Sequence, residues 1–196
     1  LNVVIKGIDL EKYNPEEAVY KIYLDTIGRK QVTCKCEVTY GERIHNIIKI
    51  ANHQQTYRDI RGEYQNRNRI EKYFGNNINK QECYEIEAED DILQFLEYGI
   101  EELNEFAEVY ASDSFKKLKI VSAPTVSTGI SIQGGLLEMS WDLNGLSIEE
   151  LEDILADYRR KKNYHRLKNG NFIRIEENGL AILAELSEGL HISKEE

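Results

Sequence analysis

Hydrophobic and polar residues alternate along "VYKIYLDTIGRKQVTCKCEVTY", residues 19–40. In its first half, Tyr20, Ile22 and Leu24 share one face. In its second half, one face carries Val32, Cys34, Cys36 and Val38. A period of two on either side of Gly28–Arg29 predicts an antiparallel hairpin with one buried face.

The middle of the chain changes to helical spacing. Residues 56–74 predict a largely solvated helix, whose approximate apolar stripe is Tyr57, Ile60, Tyr64 and Phe74. The segment "ECYEIEA", residues 82–88, predicts a short strand. Acidic residues open "EDDILQFLEYG", residues 89–99, as helix starts prefer. We expect this helix to end at Gly99 and a second short helix to follow over 100–106.

From residue 107 the pattern favours strands again. Four short segments carry it: "EVYAS", "LKIVSA", "TVSTGISIQ" and "LLEMSWDL". Gly134–Gly135 can form the turn between the last two segments. These segments predict β-structure over most of residues 108–143.

The clearest helix signal is "LSIEELEDILADYRRKK", residues 146–162. Ser147 and Glu150 have the spacing of a capping box. The predicted apolar stripe is Ile148, Leu151, Ile154, Leu155 and Tyr158. Two strands follow, "YHRL" and "FIRIE", around Asn169–Gly170, which is a strong hairpin signal. A last amphipathic helix is predicted in "NGLAILAELSEG", residues 178–189.

These elements predict an α+β fold with antiparallel hairpins and a sheet on which helices pack. A soft boundary falls near Lys119, where helices give way to strands. We therefore expect an N-terminal α+β part over 1–118 and a C-terminal α+β part over 119–196. One continuous domain is the alternative, since 196 residues suit either arrangement.

Charge distribution separates one window from the rest of the chain. The net charge is −10, yet residues 158–175 hold seven Lys or Arg and no Asp or Glu. An acidic chain is poorly suited to binding DNA with its whole surface, but one local cationic surface remains available. No apolar run approaches the roughly 20 residues that span a bilayer, so we expect no membrane contact. Three cysteines without a leader favour reduced thiols in the cytoplasm.

The basic window has two interpretations. Cations at the end of a helix complement its carbonyl groups, which accounts for residues 159–162 without a ligand. The window continues into the next strand, however, so helix end and hairpin together could contact a phosphate backbone. The candidate contact residues are Arg159, Arg160, Lys161, Lys162, Tyr164, His165, Arg166 and Lys168.

Other chemical signals are weaker. Cys34-Lys35-Cys36 could begin a zinc site, but a second close pair of ligands is missing, so we expect core cysteines. The carboxylates at 87–91 and 101–105 suit helix starts better than a cation site. The chain has no phosphate-binding loop and no serine elbow. We predict no catalytic residue, no metal ligand and no cofactor.

The order of several motifs resembles a known family. "VTYGERI", "RDIRGEYQNRNRIEKYF" and "DDILQFLEYGIEEL" precede "SWDL", "EELEDIL" and "YHRLKNGNFIRIE". This series is similar to the accessory domain of bacterial Swi/Snf-family helicases, and "YHRLKNGNF" is its most specific part. In that family the region precedes a two-lobed ATPase motor and often follows a zinc module, whose closing His is absent after Cys83.

The resemblance implies a non-catalytic accessory domain cut from a longer DNA-dependent ATPase. Its expected partners are the motor domains of the same polypeptide and double-stranded DNA, and the resemblance transfers no catalytic residues. Two alternatives stay open. One is a protein-interaction module without nucleic-acid contact, and the other is a small enzyme of unknown reaction.

Overall fold

The computed structural model describes residues 16–28, 30–49, 58–122, 127–133, 136–142, 146–175 and 184. The chain forms two compact units, 1–117 and 118–196. Each unit contains both helices and strands, and the predicted α+β class is confirmed. Among the described helices, none is both long and apolar enough to cross a bilayer.

The first unit is built on a five-stranded sheet. Its strands are β1 Val19–Ile27, β2 Gln31–Tyr40, β3 Arg43–Asn46, β4 Tyr84–Ile86 and β5 Glu108–Ala111. The order is β3-β2-β1-β5, and β4 also pairs with β2. The predicted hairpin is confirmed, since β1 and β2 are antiparallel with Ile22 opposite Cys36. Strand β5 joins β1 in parallel. The sheet is therefore mixed, whereas the sequence predicted antiparallel pairing.

The described residues of the same unit also form four helices. They are α1 Ile60–Phe74, α2 Glu89–Gln94, α3 Ile100–Asn104 and α4 Asp113–Lys116. A π-helical turn, Phe95–Gly99, connects α2 directly to α3. The prediction that Gly99 ends a helix was therefore wrong. Gly99 keeps helical dihedral angles, and its missing side chain leaves room for the ring of Phe95.

The core of the first unit lies between one face of the sheet and these helices. Phe95 is fully buried, and its ring centroid lies 5.9 Å from Tyr73, 4.8 Å from Phe74 and 6.3 Å from Phe115. Such edge-to-face pairs contribute about 0.5–1.5 kcal/mol each beyond the burial of their area. This cluster holds α1, the π-helical turn and α4 together.

The two cysteines of β2 lie in this core. Cys34 and Cys36 are 0% exposed, and burial raises the pKa of both thiols. A thiol whose pKa is raised is a poor source of the thiolate that zinc requires. The expectation that they pack as small hydrophobic residues is confirmed.

Helix α1 buries only part of the predicted stripe: Phe74 is buried and Ile60 is half-buried, whereas Tyr57 lies outside the described residues. Tyr64 is 51% exposed, whereas Glu63 is 0% exposed and faces the core together with Ile70 and Phe74. The carboxylate of Glu63 accepts hydrogen bonds from Arg58 and from the hydroxyl of Tyr40. A hydrophobic pattern cannot reveal this face, because a charged residue is buried only when its partners are buried with it.

The described residues of the second unit form two small sheets and one long helix. Its elements are β6 Ile120–Ser122, β7 Ser127–Gln133, β8 Leu136–Asp142, α5 Ile148–Arg159, β9 Tyr164–Arg166 and β10 Phe172–Arg174. Strands β7 and β8 form an antiparallel pair, and the second sheet has the order β6-β10-β9. The predicted turn at Gly134–Gly135 lies outside the described residues. So does the helix predicted over 178–189, of which only Ala184 is described.

Helix α5 starts as the sequence predicts. The hydroxyl of Ser147 accepts a hydrogen bond from the backbone N–H of Glu150, and the Glu150 carboxylate accepts one from the backbone of Ser147. This confirms the capping box. Ile154 and Leu155 pack with Leu167 and Ile173 in the core of the unit. Ile148 is 65% exposed, so its place in the apolar stripe was wrong.

Candidate nucleic-acid interface

The basic window begins where α5 ends. The backbone N–H of Lys162 donates to the carbonyl of Asp157, and that of Lys161 donates to the carbonyl of Tyr158. Lys161 has a φ of +59°, in the left-handed region. These two hydrogen bonds and this angle define a Schellman turn, in which glycine usually occupies the left-handed position. The turn reverses the chain immediately after the helix and leads it into β9.

Asp157 stands at the centre of this turn. Its carboxylate oxygens lie 2.9 Å from Nδ1 of His165, 3.0 Å from Nζ of Lys162 and 3.7 Å from a guanidinium nitrogen of Arg160. We call Asp157, Arg160, Lys162 and His165 the helix-end cluster. Three of the eight candidate contact residues are therefore bound to one buried carboxylate that precedes the window.

The same contacts set the ionisation of Asp157. Burial acts to raise its pKa, but the hydrogen bonds from His165 and Lys162 outweigh burial and lower the pKa below its ordinary value. A carboxyl group with a lowered pKa in the folded state stabilises the fold above its unfolded pKa of about 3.9. This stabilisation is lost as the pH falls below that value.

We predict that Asp157→Asn lowers the free energy of unfolding of the second unit by about 1 kcal/mol at pH 7, because two charged hydrogen bonds are weakened. The difference from wild type should shrink as the pH falls from about 4 to below the folded pKa of Asp157. Urea titrations at several pH values measure this difference in the free energy of unfolding. A difference that stays constant down to pH 3 or below would contradict the assigned role of this carboxylate.

The hairpin after the turn has two distinct faces. Strands β9 and β10 are antiparallel, with Arg166 opposite Phe172, His165 opposite Ile173 and Tyr164 opposite Arg174. Ile173 packs in the core with α5, and His165 bonds to Asp157 of α5. Since side chains alternate along a strand, the other four residues share the opposite face.

We call Tyr164, Arg166, Phe172 and Arg174 the arginine face. The guanidinium carbon of Arg166 lies 5.1 Å from the ring centroid of Phe172, and that of Arg174 lies 5.8 Å from the ring of Tyr164. Both distances lie within the range of a cation–π interaction. Each arginine thus stacks on the aromatic residue directly opposite on the neighbouring strand.

The hairpin turn contributes a further cation. Gly170 has a φ of +95°, and its N–H donates to the carbonyl of Leu167. Nζ of Lys168 lies 3.0 Å from a carboxylate oxygen of Glu149, and both side chains are more than half exposed. This bond to Glu149 raises the pKa of Lys168. An exposed ion pair of this kind is weak. Another anion can therefore replace Glu149 as the partner of Lys168.

The structure therefore distributes the candidate contact residues over four environments. Arg160, Lys162 and His165 belong to the helix-end cluster, Tyr164 and Arg166 to the arginine face, and Lys168 to the hairpin turn. Arg159 and Lys161 are exposed beside the turn. Sequence reasoning did not include Arg174, although the alternation of "FIR" beside the hairpin signal places it on the face of Arg166.

A comparison of the whole chain with protein families gives a match. Residues 1–196 match the family model described as "Bacterial SNF2 helicase associated". The chain belongs to this family. Comparisons with curated proteins and with solved structures find no match. The resemblance inferred from the motifs is thus confirmed over the full length.

The carboxylates at 101–105 take part in contacts between two helices of the first unit. Glu102 accepts hydrogen bonds from Lys72 and Tyr73, and the bond from Lys72 lowers its pKa. Arg69 forms ion pairs with Glu102 and Glu105. The acids at 101–105 therefore join α3 to α1. Within the described ranges, His, Cys, Asp and Glu form no group of three or more that could hold a metal ion.

Proposed function

We propose that this chain is a non-catalytic accessory domain of a bacterial Swi/Snf-type DNA-dependent ATPase, and that its basic window contacts the motor or DNA. The family description supplies the helicase context. The observation that supports the contact is the arginine face, where two guanidinium groups on neighbouring strands each lie over an aromatic ring. An accessory domain acts through such a surface by favouring one state of its neighbour over another.

The distribution of charge supports a contact through one region. Outside residues 158–175 the chain carries 18 basic and 35 acidic residues, a balance of −17. A negative surface is repelled by phosphate, so binding is limited to the basic window and indiscriminate binding is suppressed. A protein-interaction module without nucleic-acid contact is the second candidate. Salt dependence separates the two, since phosphate contacts release counterions in proportion to their number.

Coupling to a motor tests the proposal. We expect removal of residues 1–196 from the intact Swi/Snf-type ATPase to change its DNA-stimulated ATP turnover by about fivefold or more. The isolated chain should hydrolyse no ATP. The charge reversal Arg166→Glu with Lys168→Glu in the intact enzyme should reproduce part of the change. Turnover that is the same with and without the chain, or ATP hydrolysis by the chain alone, would contradict the proposal.

A further inference from the structure

We infer that the outward face of the sheet in the first unit docks on the helicase motor and receives a motor segment that bears Lys or Arg. This inference rests on the proposed function and adds a contact surface in a different unit from the basic window. Strands β1, β2, β4 and β5 form this surface, which we call the tyrosine face. Its charged and aromatic side chains are Lys21, Tyr23, Asp25, Lys35, Glu37, Glu85, Glu108 and Tyr110.

The burial of β1 alternates as the pleat of a strand requires. Ile22 and Leu24 are buried in the core of the first unit, and the residues between and beyond them point to the opposite side. There, Tyr23 is 40% exposed and Ile27 is 48% exposed. Tyr110 lies beside Tyr23 on the neighbouring strand β5 and is 47% exposed. The outward side of these two strands is therefore accessible.

Two stacked tyrosines form the centre of this surface. The ring centroids of Tyr23 and Tyr110, the tyrosine pair, lie 5.5 Å apart, and the ring planes differ by 18°. Stacking supports the pairing of β1 with β5, but it leaves both rings in partial contact with water. Tyrosine is enriched in protein interfaces, and aromatic rings attract ammonium and guanidinium groups. The pair thus favours a protein partner that carries cations.

Carboxylates outnumber cations on the tyrosine face. Each of its two lysines is paired with a glutamate of the same face, at 3.8 Å for Lys21–Glu108 and 2.7 Å for Lys35–Glu37. Two further carboxylates accept hydrogen bonds from neutral groups, and no Lys or Arg of the described residues forms an ion pair with either. These two are Asp25 and Glu85. The remaining negative charge is complementary to a cationic partner.

The two unpaired carboxylates belong to one row across the sheet. Asp25 and Glu85 lie on either side of Thr33, which pairs with both in the register of β1, β2 and β4. Thr33 is 8% exposed, because its short side chain lies between these longer ones. Two strand spacings, or about 10 Å, separate the two acidic residues along the row. A segment with two basic side chains can therefore reach both carboxylates.

A cavity extends the negative charge beyond β4. Its volume is about 570 Å³, and Glu85, Glu87 and Asp91 line it together with five uncharged residues. None of these eight residues is a Lys, Arg or His. Ile78 in the same wall is 42% exposed and offers an apolar surface to the methylene groups of a long basic side chain.

A protein is favoured over nucleic acid as the partner of this face, because unpaired carboxylates repel phosphates. The family description names a helicase. An enzyme that acts on nucleic acid carries Lys and Arg for its phosphate contacts. The motor therefore offers the charge that the tyrosine face lacks.

Footprinting of the intact Swi/Snf-type ATPase tests this docking without any substitution. Hydroxyl radicals oxidise exposed tyrosines, and mass spectrometry measures the rate at each site in the isolated chain and in the intact enzyme without DNA. The tyrosine pair should be oxidised severalfold more slowly in the intact enzyme. Tyr64, which is 51% exposed on α1, is the reference and should react at the same rate in both.

Two double variants with equal loss of charge test the role of the carboxylates. Asp25→Asn with Glu85→Gln neutralises the tyrosine face and keeps the shape of both side chains. Glu152→Gln with Asp153→Asn neutralises two exposed carboxylates of α5. In the intact enzyme, the first variant should restore the oxidation rate of the tyrosine pair to that of the isolated chain. The second variant should keep the pair protected.

Equal oxidation rates of the tyrosine pair in the isolated chain and in the intact enzyme would overturn the inference. Equal slowing of Tyr64, or equal effects of the two double variants, would do the same. Protection that appears only after a DNA duplex is added would assign the face to nucleic acid instead. In each of these outcomes, ATP turnover that still depends on residues 1–196 would leave the proposed function standing.

Discussion

Replacing Glu63 with glutamine should lower the free energy of unfolding of the first unit by about 3–5 kcal/mol. The side chains of Glu63 and Arg58 are 0% and 2% exposed, and their closest atoms are 2.5 Å apart. The substitution would leave the guanidinium of Arg58 buried beside a neutral amide. The loss of an ionic partner inside a protein is expensive because water cannot replace it.

The hydroxyl of Tyr40 makes this pair part of a larger network. It donates to Glu63 over 2.8 Å and accepts a hydrogen bond from the backbone N–H of Asp59 over 3.0 Å. Burial and the bond to Glu63 raise the pKa of Tyr40. Asp59 in turn caps α1 by accepting from the N–H of Gly62. The network thus ties the end of β2 to the start of α1.

Urea unfolding followed by circular dichroism, with hydrogen exchange to identify the first unit, measures the effect. Glu105→Gln is the matched control, because Glu105 also pairs with an arginine but its side chain is 68% exposed. We expect the control to cost about 1 kcal/mol or less. Equal costs for the two substitutions would show that the Arg58–Glu63 pair is not the central contact of this unit.

The second large effect concerns Gly99. A Cβ atom at this position would overlap the ring of Phe95, which is fully buried among Tyr73, Phe74 and Phe115. We expect Gly99→Ala to destabilise the first unit by about 2 kcal/mol, because overpacking of the core outweighs the better helix propensity of alanine. If Gly99 only terminated a helix, alanine would be tolerated or would extend the helix.

A double-mutant cycle identifies the cause of this effect. Phe95→Leu should destabilise by itself, but it removes the ring that the new methyl group would meet. The added cost of Gly99→Ala in the Phe95→Leu background should therefore fall well below its cost in the wild type. Additive costs, measured by the same urea titrations, would exclude the contact between the methyl group and the ring as the reason.

Local patterns predicted much of the fold. The alternation around Ile22 and Cys36 predicted the hairpin of β1 and β2, and the Ser147 capping box predicted the start of α5. Both succeeded because a period of two and a capping hydrogen bond involve neighbours in sequence. Asn169–Gly170 likewise predicted the hairpin of β9 and β10.

The errors arose where packing in the core, and not the local pattern, decides the outcome. Glu63 is buried because Tyr40, 23 positions earlier, meets it in space. Gly99 continues a helix because the ring of Phe95 occupies the space of its side chain. A pattern of apolar residues contains neither fact, since a buried charge and a glycine both score as breaks in that pattern.

The amino-acid sequence by itself determined the α+β class, the family and the position of the basic window, because periodicity, caps, turns and charge are properties of short segments. Only the tertiary structure decided which cations are held by Asp157 and which stack on the arginine face. That division depends on a left-handed turn at Lys161 and on the register of β9 against β10. Both result from packing against α5, where a shift of one residue would exchange the two faces.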